Sequence, residues 1–208
     1  MTAPSGDISG NKLAPVTFGI AGLGGLGSHA ALALARMGAG RLILVDFDNV
    51  DETNLERQAY RCEHIGQAKS AVLADEIARV NPRVRVTAHN VRVTPENAAA
   101  LFGGCDVVLE CFDNPEAKRM LVETLAGAFP DVPIVAASGI AGFGDANLIR
   151  TRRVGRRLWI VGDGETEIGP GVRLSAARVM VAAGHQALVA ARIVMGEEQD
   201  GEDKKCDP

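Results

Sequence analysis

Aromatic residues are scarce in this chain, at 4% of 208 residues. A protein that stacks bases on a surface needs more of them, so a nucleic-acid platform is not expected. No uninterrupted apolar run reaches 18 residues, which argues against a membrane span. The apolar stretch Val179–Ala191 is broken by His185 and Gln186. Excess positive charge is also missing. Residues 1–196 carry 20 acids and 20 bases, and the whole net charge of -4 falls in the tail 197–208. The body is therefore not a basic nucleic-acid-binding domain. Cysteines stand only at 62, 105, 111 and 206, without a Cys-x-x-Cys pair, so no zinc is expected. Free thiols and no signal peptide lead to the expectation of a reducing cytoplasm.

What is present fits one globular domain: 47% hydrophobic and 23% charged residues. The expected division is a loose leader over 1–15, a single domain over 16–196 and an acidic, disordered tail over 197–208. Strand-like runs at Val16–Ala21, Arg41–Asp46, Val84–His89, Asp106–Cys111 and Ile134–Ser138 alternate with helical segments at Gly25–Met37, Gln67–Val80, Pro95–Phe102 and Pro115–Ala128. That alternation predicts an α/β, Rossmann-like doubly wound fold, its mainly parallel sheet covered by helices on both faces. After Gly139 the pattern predicts a short antiparallel hairpin, Ala146–Arg153 with Arg157–Val161, then a Gly-rich loop and a long apolar helix over Leu174–Met195. Such a helix belongs in the core or at a subunit seam.

Gly22, Gly24 and Gly27 form a Gly-x-Gly-x-x-Gly fingerprint between the first strand and first helix, with Gly25 inside it. Glycines allow a tight turn and close approach of phosphate, and the helix N-terminus offers free N–H groups. Asp46 ends the second strand, 19 residues after Gly27, where an acid accepts from ribose hydroxyls. These features alone predict a nucleotide with a ribose and leave NAD and ATP open. Downstream, Arg57 offers a planar fork for phosphate oxygens and Lys69 a point charge. Asp113, just past the fourth strand, is a carboxylate suited to Mg²⁺ bridging phosphates. Asp113 is equally suited to cap the next helix, and Asp48 and Asp51 to serve as turn or cap residues. The arginines at 150, 152, 153, 156 and 157 read either as a solvated edge or as a docking surface.

This set resembles the ThiF/MoeB, ubiquitin-activating-like adenylyltransferase superfamily. The resemblance rests on the Gly-x-Gly-Gly-Leu-Gly loop at 22–27, the segment Asp48–Gln58 with Asn54, Leu55, Arg57 and Gln58, then Lys69, Asp113-Asn114 and the late Gly184–Leu188. It covers about residues 16–196 and is most like the compact ThiF branch linked to thiamine biosynthesis. The resemblance implies that Gly22, Gly24, Gly25 and Gly27 cradle phosphate and Asp46 holds the ribose. It implies that Asn54, Arg57 and Lys69 bind the triphosphate, and that Asp113 binds Mg²⁺. The implied reaction is ATP-dependent adenylation of the C-terminal glycine carboxylate of a small ubiquitin-like sulfur carrier ending in Gly-Gly, by a homodimer. Alternatives are a molybdopterin-type carrier, an NAD-dependent oxidoreductase and a non-catalytic nucleotide-binding protein. A related branch dehydrates a modified tRNA adenosine; the neutral body and short chain count weakly against it. Two departures stand out. The family's structural zinc cysteines are missing, and no arginine precedes Arg36 to reach a partner's site.

Overall fold

The computed structural model describes residues 11–167, 169 and 171–197. Residues 1–10 of the expected leader and 198–208 of the expected tail lie outside the described residues. The described end of the leader is packed: residues 12–15 turn, Leu13 is buried, and Asn11 Nδ2 donates to Gly38 O at 2.8 Å.

The strands are β1 (Thr17–Ala21), β2 (Arg41–Asp46), β3 (Arg85–Asn90), β4 (Val107–Glu110), β5 (Ile134–Ala137), β6 (Arg150–Val154) and β7 (Leu158–Gly162). The helices are α1 (Gly25–Arg36), α2 (Lys69–Val80), α3 (Pro95–Phe102), α4 (Pro115–Ala128) and α5 (Ala176–Met195). One seven-stranded sheet runs in the order β3-β2-β1-β4-β5-β7-β6. All pairs are parallel except the β6–β7 hairpin at the edge. The first hairpin strand starts at Arg150 instead of the expected Ala146. Asp145 caps a short 3-10 turn over Ala146–Leu148, which delays strand entry.

The strand pleat sorts side chains between two cores. Phe18, Ile20, Leu42, Leu44, Val107 and Leu109 pack with α1, α2 and α5. Ile43, Val45 and Val108 pack with α3 and α4 on the other face. Helix α5 is long and apolar enough, by length and composition, to cross a membrane. Its only polar interruptions in mid-helix are His185 and Gln186, so it passes without an unbroken apolar run. Here it is a core helix, burying Val179, Ala182, Ala183, Ala187, Ala190 and Ala191.

The connections place the functional edge. The chain winds from β1 to β2 and β3 on one side, then returns to β4 beside β1. That reversal opens a crevice outside the carboxyl ends of β1 and β4, where open α/β sheets bind ligands. The loop at 22–27 follows β1, and Asp113 follows β4.

Candidate functional site

The glycine loop is built by sterics at two positions. Gly22 has φ +88°, and a Cβ there would press on Phe112 Cδ1 at 2.9 Å and Cys111 O at 3.0 Å. A methyl on Gly27 would overlap the Gly22 carbonyl, so α1 starts tight against the turn that feeds it. The other two glycines differ in role. A Cβ on Gly24 would meet only Gln58 Nε2, at 3.7 Å, which leaves the loop open to a ligand. A Cβ on Gly25 would lie 2.8 Å from Val179 Cγ1 and 3.4 Å from Arg57 O. Gly25 therefore also lets α5 and the Arg57 segment close on the loop. Gly24 stands at the N-cap of α1 without a side-chain cap, so the first N–H groups of the helix have no internal partner.

Asp46 ties the end of β2 to this loop. Its Oδ2 accepts from Leu23 N at 2.6 Å and its Oδ1 from Asp48 N at 2.8 Å. Each oxygen retains lone-pair capacity for a hydroxyl. Burial pushes the carboxyl above its usual range, against the backbone bonds from Asp48 and Leu23 and the charge of Lys69. Lys69 is buried, and its Nζ lies 3.1 Å from Asp48 Oδ2. Asp48 is thus the lysine's partner, while Asp51 is a turn residue accepting from Thr53 N and Thr53 Oγ1.

Asn54 closes that turn. Its Oδ1 accepts from Asp51 N at 3.1 Å, and its Nδ2 has no hydrogen-bond partner among the described residues. Arg57 is half-buried beside Gly25. Its Nη1 donates to Thr53 O at 2.9 Å and to Glu56 Oε1 at 3.0 Å. Glu56 Oε2 takes Arg173 Nη2 at 3.0 Å, so one carboxylate holds two guanidinium groups. His29 of α1 bonds the Arg57 backbone, and burial lowers its pKa, which keeps the ring neutral near pH 7. Asp113 is exposed and has no hydrogen bond or ion pair among the described residues. Asn114 caps α4 instead, accepting from Ala117 N at 2.9 Å, so Asp113 is not spent on the cap.

The structure therefore gathers the glycine loop, Asp46, Lys69 and Arg57 around the start of α1, with Asp113 across the crevice on the β4 turn. Tyr60 has no counterpart in the sequence reading, and Gln58 enters it only as a motif position without a role. Tyr60 is buried and its hydroxyl donates to Leu23 O at 2.7 Å, fixing the loop from behind. Burial, with the nearby Asp46 charge, raises its pKa far above neutrality, so the proton stays on. It is the only tyrosine in an aromatic-poor chain, which was the available signal. Gln58 is buried over Gly24, and its Oε1 lacks a partner. On the remote edge, the arginine hairpin has local contacts: Arg153 lies 5.2 Å over the Trp159 ring, and Arg157 pairs with Asp131 at 3.2 Å.

The set fits a nucleoside triphosphate: an open loop, a ribose acid and cations. It also fits Mg²⁺. No group of three or more His, Cys, Asp or Glu is arranged for a metal among the described residues. Mg²⁺ needs no such cage, since it takes one or two carboxylates with phosphates and water.

Comparison with known proteins agrees with this geometry. The chain is 34% identical over 149 residues to the adenylyltransferase and sulfurtransferase UBA4 of Yarrowia lipolytica, covering 71% of this chain and 37% of that protein. It is 35% identical over 135 residues to the molybdopterin-synthase adenylyltransferase of Salmonella typhimurium, covering 64% of this chain and 53% of that one. The matches thus span about a third to a half of these relatives' length. The crystal structure of the Escherichia coli tRNA N6-threonylcarbamoyladenosine dehydratase TcdA in complex with ATP superposes with a TM-score of 0.82 at 25% identity, covering 93% of this chain and 91% of that one. The sequence model of the ThiF family matches residues 3–205. The chain belongs to the ThiF family.

Proposed function

We propose that this protein is an ATP-dependent adenylyltransferase that activates the C-terminal glycine carboxylate of a small ubiquitin-like sulfur carrier, releasing pyrophosphate. The observation that carries the reading is Lys69, a buried ammonium that pairs with Asp48 and whose charge also acts on Asp46. A nicotinamide dinucleotide site needs the loop and Asp46 but has no use for a buried lysine paired to the segment after Asp46. The adenylyltransferase activity of the UBA4 and molybdopterin-synthase relatives, and ATP in the TcdA structure, support the same reading.

In this account the N–H groups at the start of α1 bind phosphate over Gly24, and Asp46 accepts from the ribose. Asn54 Nδ2, Arg57 and Lys69 neutralise phosphate oxygens and align them. Asp113 would hold Mg²⁺, which would supply further charge neutralisation when bound. A carboxylate oxygen of the carrier attacks the α-phosphorus, and the bond to the bridging oxygen of pyrophosphate breaks. The carboxylate is already ionised at neutral pH, so no general base is needed, and alignment with charge stabilisation provides the catalysis.

Among carriers, the ThiS-like one of thiazole synthesis is our first candidate, from the compact sequence pattern. The Salmonella relative favours a molybdopterin-type carrier as the second. A second reading places the carboxylate on a modified tRNA base, favoured by the fold match to the dehydratase along 93% of this chain. The same proposal includes a cytoplasmic location and pairing with a second copy. Met180 and Leu188, each 53% exposed on α5, support the pairing. ATP–pyrophosphate exchange with purified ThiS-like and molybdopterin-type carriers tests the account. Exchange that needs the terminal glycine supports it. No exchange with either carrier, but ATP consumption with threonylcarbamoyladenosine-containing tRNA, selects the second reading.

A further inference from the structure

Glu110, the last residue of β4, is fully buried and gathers contacts from several segments. Lys118 Nζ, in the first turns of α4, donates to Oε1 at 3.2 Å and Oε2 at 2.9 Å. Phe112 N donates to Oε1 at 2.7 Å. The backbone of Ala137, at the end of β5, adds another hydrogen bond to the carboxylate. Gln186 of α5 donates through Nε2 to Glu110 O and to Val135 O, each at 3.0 Å.

This network encloses one short turn. Cys111, Phe112, Asp113 and Asn114 connect β4 to α4, and the Glu110–Lys118 pair closes that connection like a clasp. Phe112 N, on one side of Asp113, is fixed by Glu110. Asn114, on the other side, is fixed as the helix cap. Phe112 in turn packs where a Cβ on Gly22 would otherwise go. Asp113 alone in the turn has a carboxylate without a partner among the described residues. A buried ion pair is a poor device for stability, since well-packed apolar residues usually serve as well. Its value here is geometric: it is directional, and each of its bonds constrains the backbone next to Asp113.

We propose that Glu110 and Lys118 are positioning residues that hold Asp113 in register with the glycine loop, and so set the Mg²⁺ dependence of nucleotide binding. The proposal rests on the reading of Asp113 as the Mg²⁺ ligand. Neither residue touches the nucleotide or the metal in this account; both act through the turn. Outer partners of metal ligands change metal affinity by about 10- to 100-fold when removed.

The test is calorimetric titration of the full-length chain with ATP, with and without Mg²⁺, alongside thermal melting. In the wild type, Mg²⁺ should tighten ATP binding, and Asp113→Ala should remove that gain. Lys118→Met should lose about tenfold of the Mg²⁺-dependent gain while keeping its Mg²⁺-free affinity. Lys118→Arg, which can still grip both oxygens, should keep the gain. The double variant Glu110→Leu/Lys118→Leu leaves Phe112 N and the Ala137 backbone without their acceptor, so it should melt below the wild type. Folded, it should lose the gain and keep its Mg²⁺-free affinity, which a purely structural pair would not do. It also carries the test should Lys118→Met fail to fold. A wild-type Mg²⁺ gain in the folded double variant overturns the proposal. So does a Lys118→Met loss that is equal with and without Mg²⁺, since the lysine would then bind phosphate directly. A wild type without any Mg²⁺ gain, or a gain that survives Asp113→Ala, overturns the reading of Asp113 itself and the proposal with it.

Discussion

Lys69 Nζ sits 3.1 Å from Asp48 Oδ2, yet the lysine side chain is 7% exposed and the aspartate 48%. Water can satisfy the carboxylate but hardly reaches the ammonium. A cation kept this way gains most from a second anion arriving from the loop side, because charge interactions strengthen as water is excluded. In the proposed function an incoming phosphate is that anion.

Replacing Lys69 with Met removes the charge with little loss of volume. We expect Mg²⁺-ATP affinity to fall by about tenfold or more, or roughly 1.4 kcal/mol. Melting temperature should change little, because Asp48 is free to hydrate. Calorimetric titration checks the first and a melting curve the second. Unchanged affinity would remove Lys69 from the site.

Gly24 and Gly27 should separate function from fold. Gly27→Ala forces a methyl into the Gly22 carbonyl and should cost about 1–3 kcal/mol of stability, as overpacking does. Gly24→Ala meets only Gln58 Nε2 at 3.7 Å and should fold normally. It narrows the space for phosphate, so ATP binding should weaken strongly. Denaturant midpoints and ATP titration of both variants test the pair. Equal loss of stability in the two would mean the loop is only structural.

Tyr60→Phe deletes the hydroxyl on Leu23 O and leaves a buried carbonyl unpaired. The expected cost is about 1–3 kcal/mol, or roughly 2–12 °C in melting temperature. ATP affinity should fall as well, because Leu23 lies between Gly22 and Gly24. A variant that melts and binds like the wild type would show that the loop holds itself.

Asp163 links the loop after β7 to α5 through Arg178 Nη2 at 2.6 Å. Burial opposes its charge, but bonds from Thr166, Glu165 and Arg178 prevail and hold its pKa at about 2, below the ordinary 3.8. A depressed folded-state pKa stabilises fully above the unfolded value and is lost as pH falls through the folded one. The stability difference between wild type and Asp163→Asn should therefore be constant above about pH 5 and close between about pH 4 and 2. Urea midpoints across that range measure it. A gap at pH 2 as wide as the one above about pH 5 would contradict the assignment.

The sheet was legible because each strand and helix carries its own local period, and Gly22–Gly27 and Asp46 announced themselves by spacing. The sharing of duties was not. Whether Asp113 or Asn114 caps α4 depends on one residue of register, and both are good caps. Asp48 and Asp51 look alike in sequence, but only Asp48 comes within reach of Lys69, 21 residues away. Tyr60 on Leu23, Glu110 on Lys118 and Arg178 on Asp163 are pairs made by tertiary packing, which leave no periodic trace. The hairpin boundary was missed because Asp145 starts a turn that composition alone did not reveal.

The central claim is that this crevice binds Mg²⁺-ATP through the residues after Asp46. Thermal melting of the full-length chain with Mg²⁺-ATP, with NAD⁺ and with neither tests it most directly. Ligand at about 100 times its dissociation constant adds roughly 2.7 kcal/mol, or roughly 5–11 °C for a chain of this size. The account predicts such a rise with Mg²⁺-ATP, absent with NAD⁺ and diminished in Asp113→Ala. A rise with NAD⁺ and none with Mg²⁺-ATP would contradict it.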